Sequence, residues 1–200
     1  TFETRAVIEA GEGQVVIVGK REPSVKVAVD SAVTKLTERG RYSYIGHPKN
    51  IDFGKVRLVS SPNAPKWLRE TILGKLDFVI GFYQQETGAK LQETPTVYLG
   101  YFDEATSTRW RGDVVAESSV SLRFFGDEWR VQSPALEAEV TEFIFHEAAH
   151  FWTSGVIGLE KQISAPWLTE GSAEYWAAQA KIEIGMYSLT EVQQETVSRL

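Results

Sequence analysis

Residues 143–152 read FIFHEAAHFW, a run in which two histidines and one glutamate stand among apolar residues. A helix of this sequence is apolar on nearly all sides, and such a helix is expected to be buried. Two imidazoles and a carboxylate that were buried without partners would destabilise the fold by several kcal/mol. A bound metal ion removes that cost, so we predict a metal-binding helix from residue 133 to about residue 154, ended by Gly155 and Gly158.

The spacing of the two histidines allows both to bind one metal ion. His146 and His150 are four residues apart, and residues at this spacing lie on one face of a helix, where both imidazoles can point at one ion. Zinc binds nitrogen ligands in a tetrahedral shell, and catalytic zinc sites leave one position to water. Glu147 is about 100° further round the helix. We therefore expect Glu147 to face that water and to act as its general base.

Two histidines do not complete the protein's share of a zinc shell, and Glu170 is the candidate third ligand. We predict a second helix that begins at Pro166, because proline is preorganised for the first helical turn. Glu174 lies four residues after Glu170 and shares its helix face. Zinc-bound histidines usually donate their other ring N–H to a carboxylate or carbonyl, so we expect Glu174 to support His146.

These residues resemble the motifs of the gluzincin metallopeptidases, the clan that includes thermolysin and the aminopeptidase N family. Residues 167–175, WLTEGSAEY, look like the aminopeptidase-type W-L-x-E-G-x-A-x-Y segment, and the spacing from His150 to Glu170 looks like that of thermolysin. The resemblance covers mainly residues 135–180. It implies one zinc ion with three protein ligands, a general base and a supporting carboxylate: His146, His150 and Glu170, then Glu147, then Glu174.

The chain departs from the family pattern in two places. Residues 112–117, GDVVAE, lack the G-x-M-x-N strand with which those aminopeptidases bind the substrate's free amine. The oxyanion-stabilising tyrosine or histidine of the clan is also unassigned, since Tyr175 and Tyr187 are the only tyrosines after Glu170. We expect Tyr175 to pack and Tyr187 to lie in a turn. Loss of one oxyanion donor typically lowers the rate by about 10²–10³.

Composition narrows the classes of partner. The net charge of −6 gives no reason to expect a nucleic-acid partner, for which a basic patch would be needed, and no stretch approaches the roughly 18 apolar residues of a membrane span. We therefore expect a peptide or protein substrate, no nucleic acid and no membrane span in this chain. The absence of cysteine excludes disulfides and thiolate zinc sites. The chain begins at Thr1 without a methionine and ends within an expected helix, which indicates a piece of a longer protein, with a secreted or cell-envelope location favoured.

Hydrophobic patterns predict an α+β fold, in which a mixed β-sheet with long helices is followed by the HExxH metal helix and a small helical subdomain. The gluzincin resemblance implies that this is a thermolysin-like domain, possibly truncated. Predicted strands cover residues 2–9, 14–18, 42–45, 55–60, 96–101 and 113–125, the first two as a hairpin. Predicted helices cover residues 24–38 and 64–87, the two metal-site helices, and a last helix capped by Ser188 with Glu191. We expect residues 1–132 to form the sheet part and residues 133–200 the zinc-binding part of one catalytic domain.

The strand at residues 113–125 is the candidate substrate strand. Val120, Leu122 and Phe124 alternate there with polar residues, the pattern of a strand with one solvent-exposed face. The resemblance implies an edge strand on which a substrate pairs by strand addition; the alternative is an ordinary edge strand. The flanking Trp110 and Trp129 are expected to cover the edge of the core rather than line a pocket.

The chain is thus predicted to be a zinc metallopeptidase that hydrolyses peptide bonds through a metal-activated water, with Glu147 as general base. Two alternatives stay open. One is a catalytically silent gluzincin-like zinc module used for binding or assembly, which the unassigned oxyanion donor motivates. The other is a zinc hydrolase that acts on a non-peptide ester or amide. The third histidine, His47, lies in a predicted loop and is expected to be a solvated surface residue rather than a ligand.

Overall fold

The computed structural model describes residues 2–18, 23–33, 43–104, 107–115, 119–156 and 166–198. The chain divides into two compact units. The first, here the sheet unit, comprises Thr1–Arg69 and Glu93–Val131, and the second, here the helical unit, comprises Glu70–Gln92 and Gln132–Leu200. Strands dominate the first and helices the second, so the protein is mixed α/β and contains a mixed sheet.

The sheet unit contains nine described strands. They are β1 (Phe2–Glu9), β2 (Val15–Val18), β3 (Lys26–Val33), β4 (Ser43–Gly46), β5 (Ile51–Phe53), β6 (Arg57–Ser60), β7 (Thr96–Phe102), β8 (Arg109–Val115) and β9 (Ser119–Phe125). The main sheet has the order β5-β6-β7-β9-β8, with β6, β7 and β9 parallel and the two edge strands antiparallel to their neighbours. β1 pairs with β3, and β2 pairs with β4.

The predicted helix over residues 24–38 is wrong for its described part, which forms β3. The apolar positions 25, 29 and 33 are four apart, and four is also an even number, so the same residues fit one side of a strand. Valines favour strands, and β1 supplies a full ladder from Phe2↔Val33 to Glu9↔Lys26. The predicted hairpin between β1 and β2 is also wrong, because β1 pairs with β3 and β2 pairs with β4. A turn does occur between β1 and β2, with Gly13 at φ 70°. Residues 34–38 lie outside the described part.

The predicted strand over residues 113–125 is two antiparallel strands, β8 and β9. β9 lies inside the sheet between β7 and β8, and Ser119 and Ser121 are 0% and 4% exposed. The expected solvent-exposed face is therefore wrong at these two serines, because small polar residues that alternate with apolar ones also fit a strand that is covered on both faces. β8, which includes residues 113–115, forms the edge of the sheet.

The helices follow the sequence patterns closely. They are α1 (Lys66–Thr87), α2 (Pro134–His150), α3 (Pro166–Glu183) and α4 (Leu189–Ser198). The π-helix Phe151–Val156 continues α2, so the predicted end of the metal helix at Gly155 is wrong, and Gly158 lies outside the described residues. The predicted apolar stripe of α1 is confirmed, because its members are all at most 2% exposed: Leu68, Ile72, Leu76, Val79 and Tyr83. Among the described residues, each helix is too short or too polar to cross a lipid bilayer.

The structure shows the surroundings of two tryptophans and of the third histidine, for each of which the sequence allowed a structural or a functional role. Trp129 is fully buried, donates its Nε1–H to the Phe125 carbonyl at 3.0 Å and meets the Phe124 ring edge-on, so it belongs to the core. Trp110 is 38% exposed on β8. His47 is exposed, and its Nδ1 accepts a hydrogen bond from the Lys49 amide at 3.1 Å, which agrees with a surface role.

Candidate metal centre

Helix α2 begins with a side-chain cap and buries one side. The Ser133 hydroxyl oxygen accepts a hydrogen bond from the Leu136 amide at 3.2 Å, and Pro134 occupies the first helical turn. Towards its end, Phe145, Ala148 and Ala149 are at most 1% exposed. Burial of these residues holds the last turns of α2 in place, and those turns carry the two histidines.

The two imidazoles of α2 lie together. The ring centroids of His146 and His150 are 4.9 Å apart with an interplanar angle of 81°, and their Nε2 atoms are 3.2 Å apart. The His150 side chain is 8% exposed and that of His146 is 20% exposed. The spacing of four residues therefore places both rings on one face of α2, where they lie next to each other.

Helix α3 brings a carboxylate to the same point. Oε2 of Glu170 lies 3.2 Å from Nε2 of His146 and 3.6 Å from Nε2 of His150. In a tetrahedral shell with bonds of 2.0–2.1 Å, two ligand atoms are separated by about 3.3 Å. The three separations of 3.2, 3.2 and 3.6 Å are close to that edge length, so the residues present fit a small divalent cation.

The three converging atoms, two imidazole nitrogens and one carboxylate oxygen, would be stabilised by a positive charge between them. An ionised carboxylate only accepts hydrogen bonds, and a neutral imidazole has one donor nitrogen and one acceptor nitrogen. Burial lowers the pKa of His146, but the carboxylates of Glu174, Glu147 and Glu170 outweigh it, and the pKa is raised above its ordinary value. A site that favours imidazolium in this way is also one that favours a bound cation.

The outer nitrogens of the two rings have their own neighbours. Oε1 of Glu174 is 3.3 Å from Nδ1 of His146, an ion-pair distance without well-formed hydrogen-bond geometry. The buried hydroxyl of Thr153, in the π-helix, is 3.5 Å from Nδ1 of His150. Glu174 was expected from its spacing. Thr153 was missed, although its position three residues after His150 is the signal that points to it.

Glu147 combines partial burial with an altered proton affinity. Burial raises its pKa to about 7, His146 lowers it, and Glu170 raises it further. Glu170 and Glu174 are 60% and 57% exposed, so one side of the cluster faces solvent. A carboxyl group that exchanges its proton near neutral pH, beside a cluster open to solvent, is suited to general acid–base chemistry.

The two tyrosines after Glu170 occupy different surroundings. Tyr175 is 58% exposed and meets the Trp176 ring edge-on at 5.6 Å, so the expectation that it packs is wrong for most of its surface. Tyr187 follows the turn at Gly185, as predicted, but its hydroxyl donates to Oε1 of Glu142 at 2.6 Å. That contact was not foreseen.

The structure brings the five candidate residues into one cluster within the helical unit: His146, Glu147, His150, Glu170 and Glu174. β8 and β9, the candidate substrate strands, belong to the sheet unit. The chain matches no protein-family model and no curated protein sequence. The gluzincin resemblance therefore depends on the motif residues alone.

Proposed function

We propose that this chain is a zinc-dependent metallopeptidase domain of gluzincin, thermolysin-like type, which hydrolyses peptide bonds through a metal-activated water. The proposal is carried by one observation, the convergence of His146 Nε2, His150 Nε2 and Glu170 Oε2 at separations of 3.2–3.6 Å. Zinc, when bound, supplies a Lewis acid and lowers the pKa of a coordinated water from about 15.7 towards 7.

The donor set supports zinc and a catalytic rather than structural site. Two imidazole nitrogens and one carboxylate oxygen are ligands that zinc prefers, and one ion per chain is expected. Structural zinc sites usually have four protein ligands, whereas catalytic sites have three and keep one position open. Glu170 is largely exposed, which is consistent with a position open to water and substrate.

Glu147 would carry the proton through the reaction. Its carboxylate takes a proton from the attacking water, and the carboxyl then donates that proton to the leaving amine of the cleaved peptide bond. In the metal-free protein, burial raises the pKa of Glu147 to about 7, so this carboxyl holds a proton more readily than an exposed glutamate does. Glu174 would hold His146 in the tautomer with Nδ1 protonated, which leaves the Nε2 lone pair available to a metal.

The second candidate function is a catalytically silent zinc module. It is favoured by the contact between Tyr187 and Glu142, which engages the hydroxyl of one of the two downstream tyrosines. With Tyr187 occupied and Tyr175 largely exposed, neither is assigned as the oxyanion donor. Hydrolysis of a non-peptide ester or amide uses the same metal and base, so substrate panels must separate it from peptide cleavage.

The decisive comparison uses Glu147→Gln, with Glu139→Gln as a matched control on an exposed position of the same helix. After zinc reconstitution, elemental analysis should give about one zinc per chain for all three proteins. Wild type and Glu139→Gln should cleave a mixed peptide library, and Glu147→Gln should not.

The outcomes distinguish the candidates. A wild-type protein without zinc after reconstitution would remove the metal proposal. Zinc-loaded wild type and Glu147→Gln that are equally inactive on peptides, esters and amides would favour the binding module. Turnover of esters or amides alone would favour the non-peptide hydrolase.

A further inference from the structure

A polar row continues along α2 and α3 beyond the metal cluster. Glu142, His146 and His150 follow one another at intervals of four residues on α2, so they share one face of that helix. The contacts across the two helices run in opposite order along the chain: His150 and His146 meet Glu170, His146 meets Glu174, and Glu142 meets Lys181. The two helices are therefore antiparallel along this row, and the pair Glu142–Lys181 lies at its far end.

Lys181 is a buried cation with two neighbours in this row. It is 7% exposed, its Nζ lies 3.9 Å from Oε2 of Glu142, and the same Nζ lies 5.2 Å from the centroid of the Tyr187 ring. Oε1 of Glu142 accepts a hydrogen bond from the Tyr187 hydroxyl at 2.6 Å. Lysine is almost never buried without a partner, so a specific arrangement must hold this cluster together.

The backbone after α3 directs Tyr187 back onto the helix. The Gly185 amide donates to the Ile182 carbonyl at 3.0 Å, and the Met186 amide donates to the Lys181 carbonyl at 2.9 Å, with Gly185 at φ 73°. This is a Schellman motif, in which a left-handed glycine ends the helix and reverses the chain. Tyr187 thus ties the end of α3 to Glu142, one helical turn before His146.

We infer that Glu142, Lys181 and Tyr187 form a positioning cluster that sets where α3 lies along α2 and thereby holds Glu170 at the two histidines. Glu170 is 60% exposed, so its place beside His146 and His150 depends on the position of its helix more than on surrounding side chains. Metal ligands must be held to within about 0.2 Å of the preferred distance. This inference rests on the proposed zinc site, and the cluster acts through Glu170 rather than on a substrate.

The test measures zinc affinity by competition with a chromophoric chelator, together with the visible spectrum of the Co²⁺-substituted protein. Tyr187→Phe keeps the ring over Lys181 and removes the hydroxyl, and Lys181→Met keeps the apolar stem and removes the charge. Each should weaken zinc binding about tenfold, the size of effect expected from changes in a packed network that has no contact with the ligand itself. The Co²⁺ spectrum should change because the carboxylate ligand is displaced.

Ser188→Ala is the matched control. The Ser188 hydroxyl accepts from the Glu191 amide at 3.3 Å and donates to Oε2 of Glu191 at 2.7 Å, so the substitution removes the cap of α4 and keeps the Tyr187 hydroxyl and the Lys181 charge. Zinc affinity should be unchanged. A second comparison uses the Glu170→Ala background, in which Tyr187→Phe should cause no further loss, because its route to the metal has been removed.

Failure of the inference differs from failure of the proposed function. Unchanged zinc affinity in Tyr187→Phe, or an equal further loss in the Glu170→Ala background, overturns the positioning cluster while the zinc site stands. A Ser188→Ala protein that loses as much affinity as Tyr187→Phe overturns it as well, since general destabilisation would then explain the effect. A wild-type protein that binds no zinc removes the proposed function and the inference with it. Should Lys181→Met not fold, Tyr187→Phe alone decides.

Discussion

Oε1 of Glu174 lies 3.3 Å from Nδ1 of His146, on the side of the ring away from the Nε2 that faces His150 and Glu170. In the proposed zinc site, a carboxylate at this position would orient the imidazole and make it a stronger metal ligand. Glu174→Ala should therefore weaken zinc binding by about 10–100-fold in a competition titration. Glu183→Ala, at an exposed position of the same helix, should bind zinc like wild type. Equal affinities in both variants would show that Glu174 does not support the site.

Stability of the metal-free protein should fall as pH rises, because of Glu147. Burial raises its pKa to about 7 from 4.5, so between these values the folded protein holds a proton that the unfolded chain has released. The contribution of Glu147 to stability is then fully present below about pH 4.5 and is lost as the pH rises through about 7. Glu147→Gln removes this titrating group. The free energy of unfolding of Glu147→Gln minus that of wild type should therefore be larger at pH 7.5 than at pH 4.5, by up to roughly 3 kcal/mol.

Urea unfolding of metal-free wild type and Glu147→Gln at both pH values measures this difference. Glu139→Gln should follow wild type, since that side chain is exposed. A stability gap between wild type and Glu147→Gln that stays constant with pH contradicts the prediction.

Zinc affinity should fall as the solution is acidified. Burial lowers the pKa of His146, but Glu174, Glu147 and Glu170 outweigh it and raise the pKa above the ordinary value. Protons therefore compete with the metal at this ring. Below the raised pKa, apparent affinity should drop by about tenfold per pH unit for each proton displaced. Competition with a chelator from about pH 5 to about pH 8, the range in which histidine changes its charge, measures the zinc affinity. His47→Gln should leave this pH profile unchanged. A flat profile would argue against histidine ligands.

Tyr83 links α1 to the helix that carries the histidines. Its side chain is 1% exposed, and its hydroxyl donates to the Phe145 carbonyl at 2.8 Å, immediately before His146. Tyr83→Phe leaves a buried carbonyl without this donor and should cost about 1–3 kcal/mol in chemical unfolding. Tyr175→Phe, which alters an exposed ring, should change stability by less than about 0.5 kcal/mol. Equal effects would contradict a structural role for the Tyr83 hydroxyl.

Local spacing was enough to predict much of the helical unit. Residues four apart lie on one face of a helix, and this spacing separates His146 from His150 and Glu170 from Glu174. The predicted Ser188–Glu191 capping box is a contact within three residues, and it occurs in the structure. Interactions of this range are properties of the local chain, which is why the sequence alone indicates them.

The strand partners were decided by tertiary structure. Hydrogen bonds between strands join residues far apart in sequence, and the even spacing of Val25, Val29 and Val33 fits a strand as well as a helix. Only the pairing of β1 with β3 resolves that ambiguity. Ser119 and Ser121 are 0% and 4% exposed, and alternation of polar and apolar residues does not reveal whether both faces of a strand are covered.

The sequence by itself determined which residues can share a helix face, and so identified the histidine pair, its adjacent glutamate and the two carboxylates of α3. The tertiary structure decided that Oε2 of Glu170 lies 3.2 Å from His146 Nε2, and that Tyr187 donates to Glu142 at the far end of the same row. Both distances depend on how α3 packs against α2, and side-chain packing between helices is not encoded in the spacing within either one.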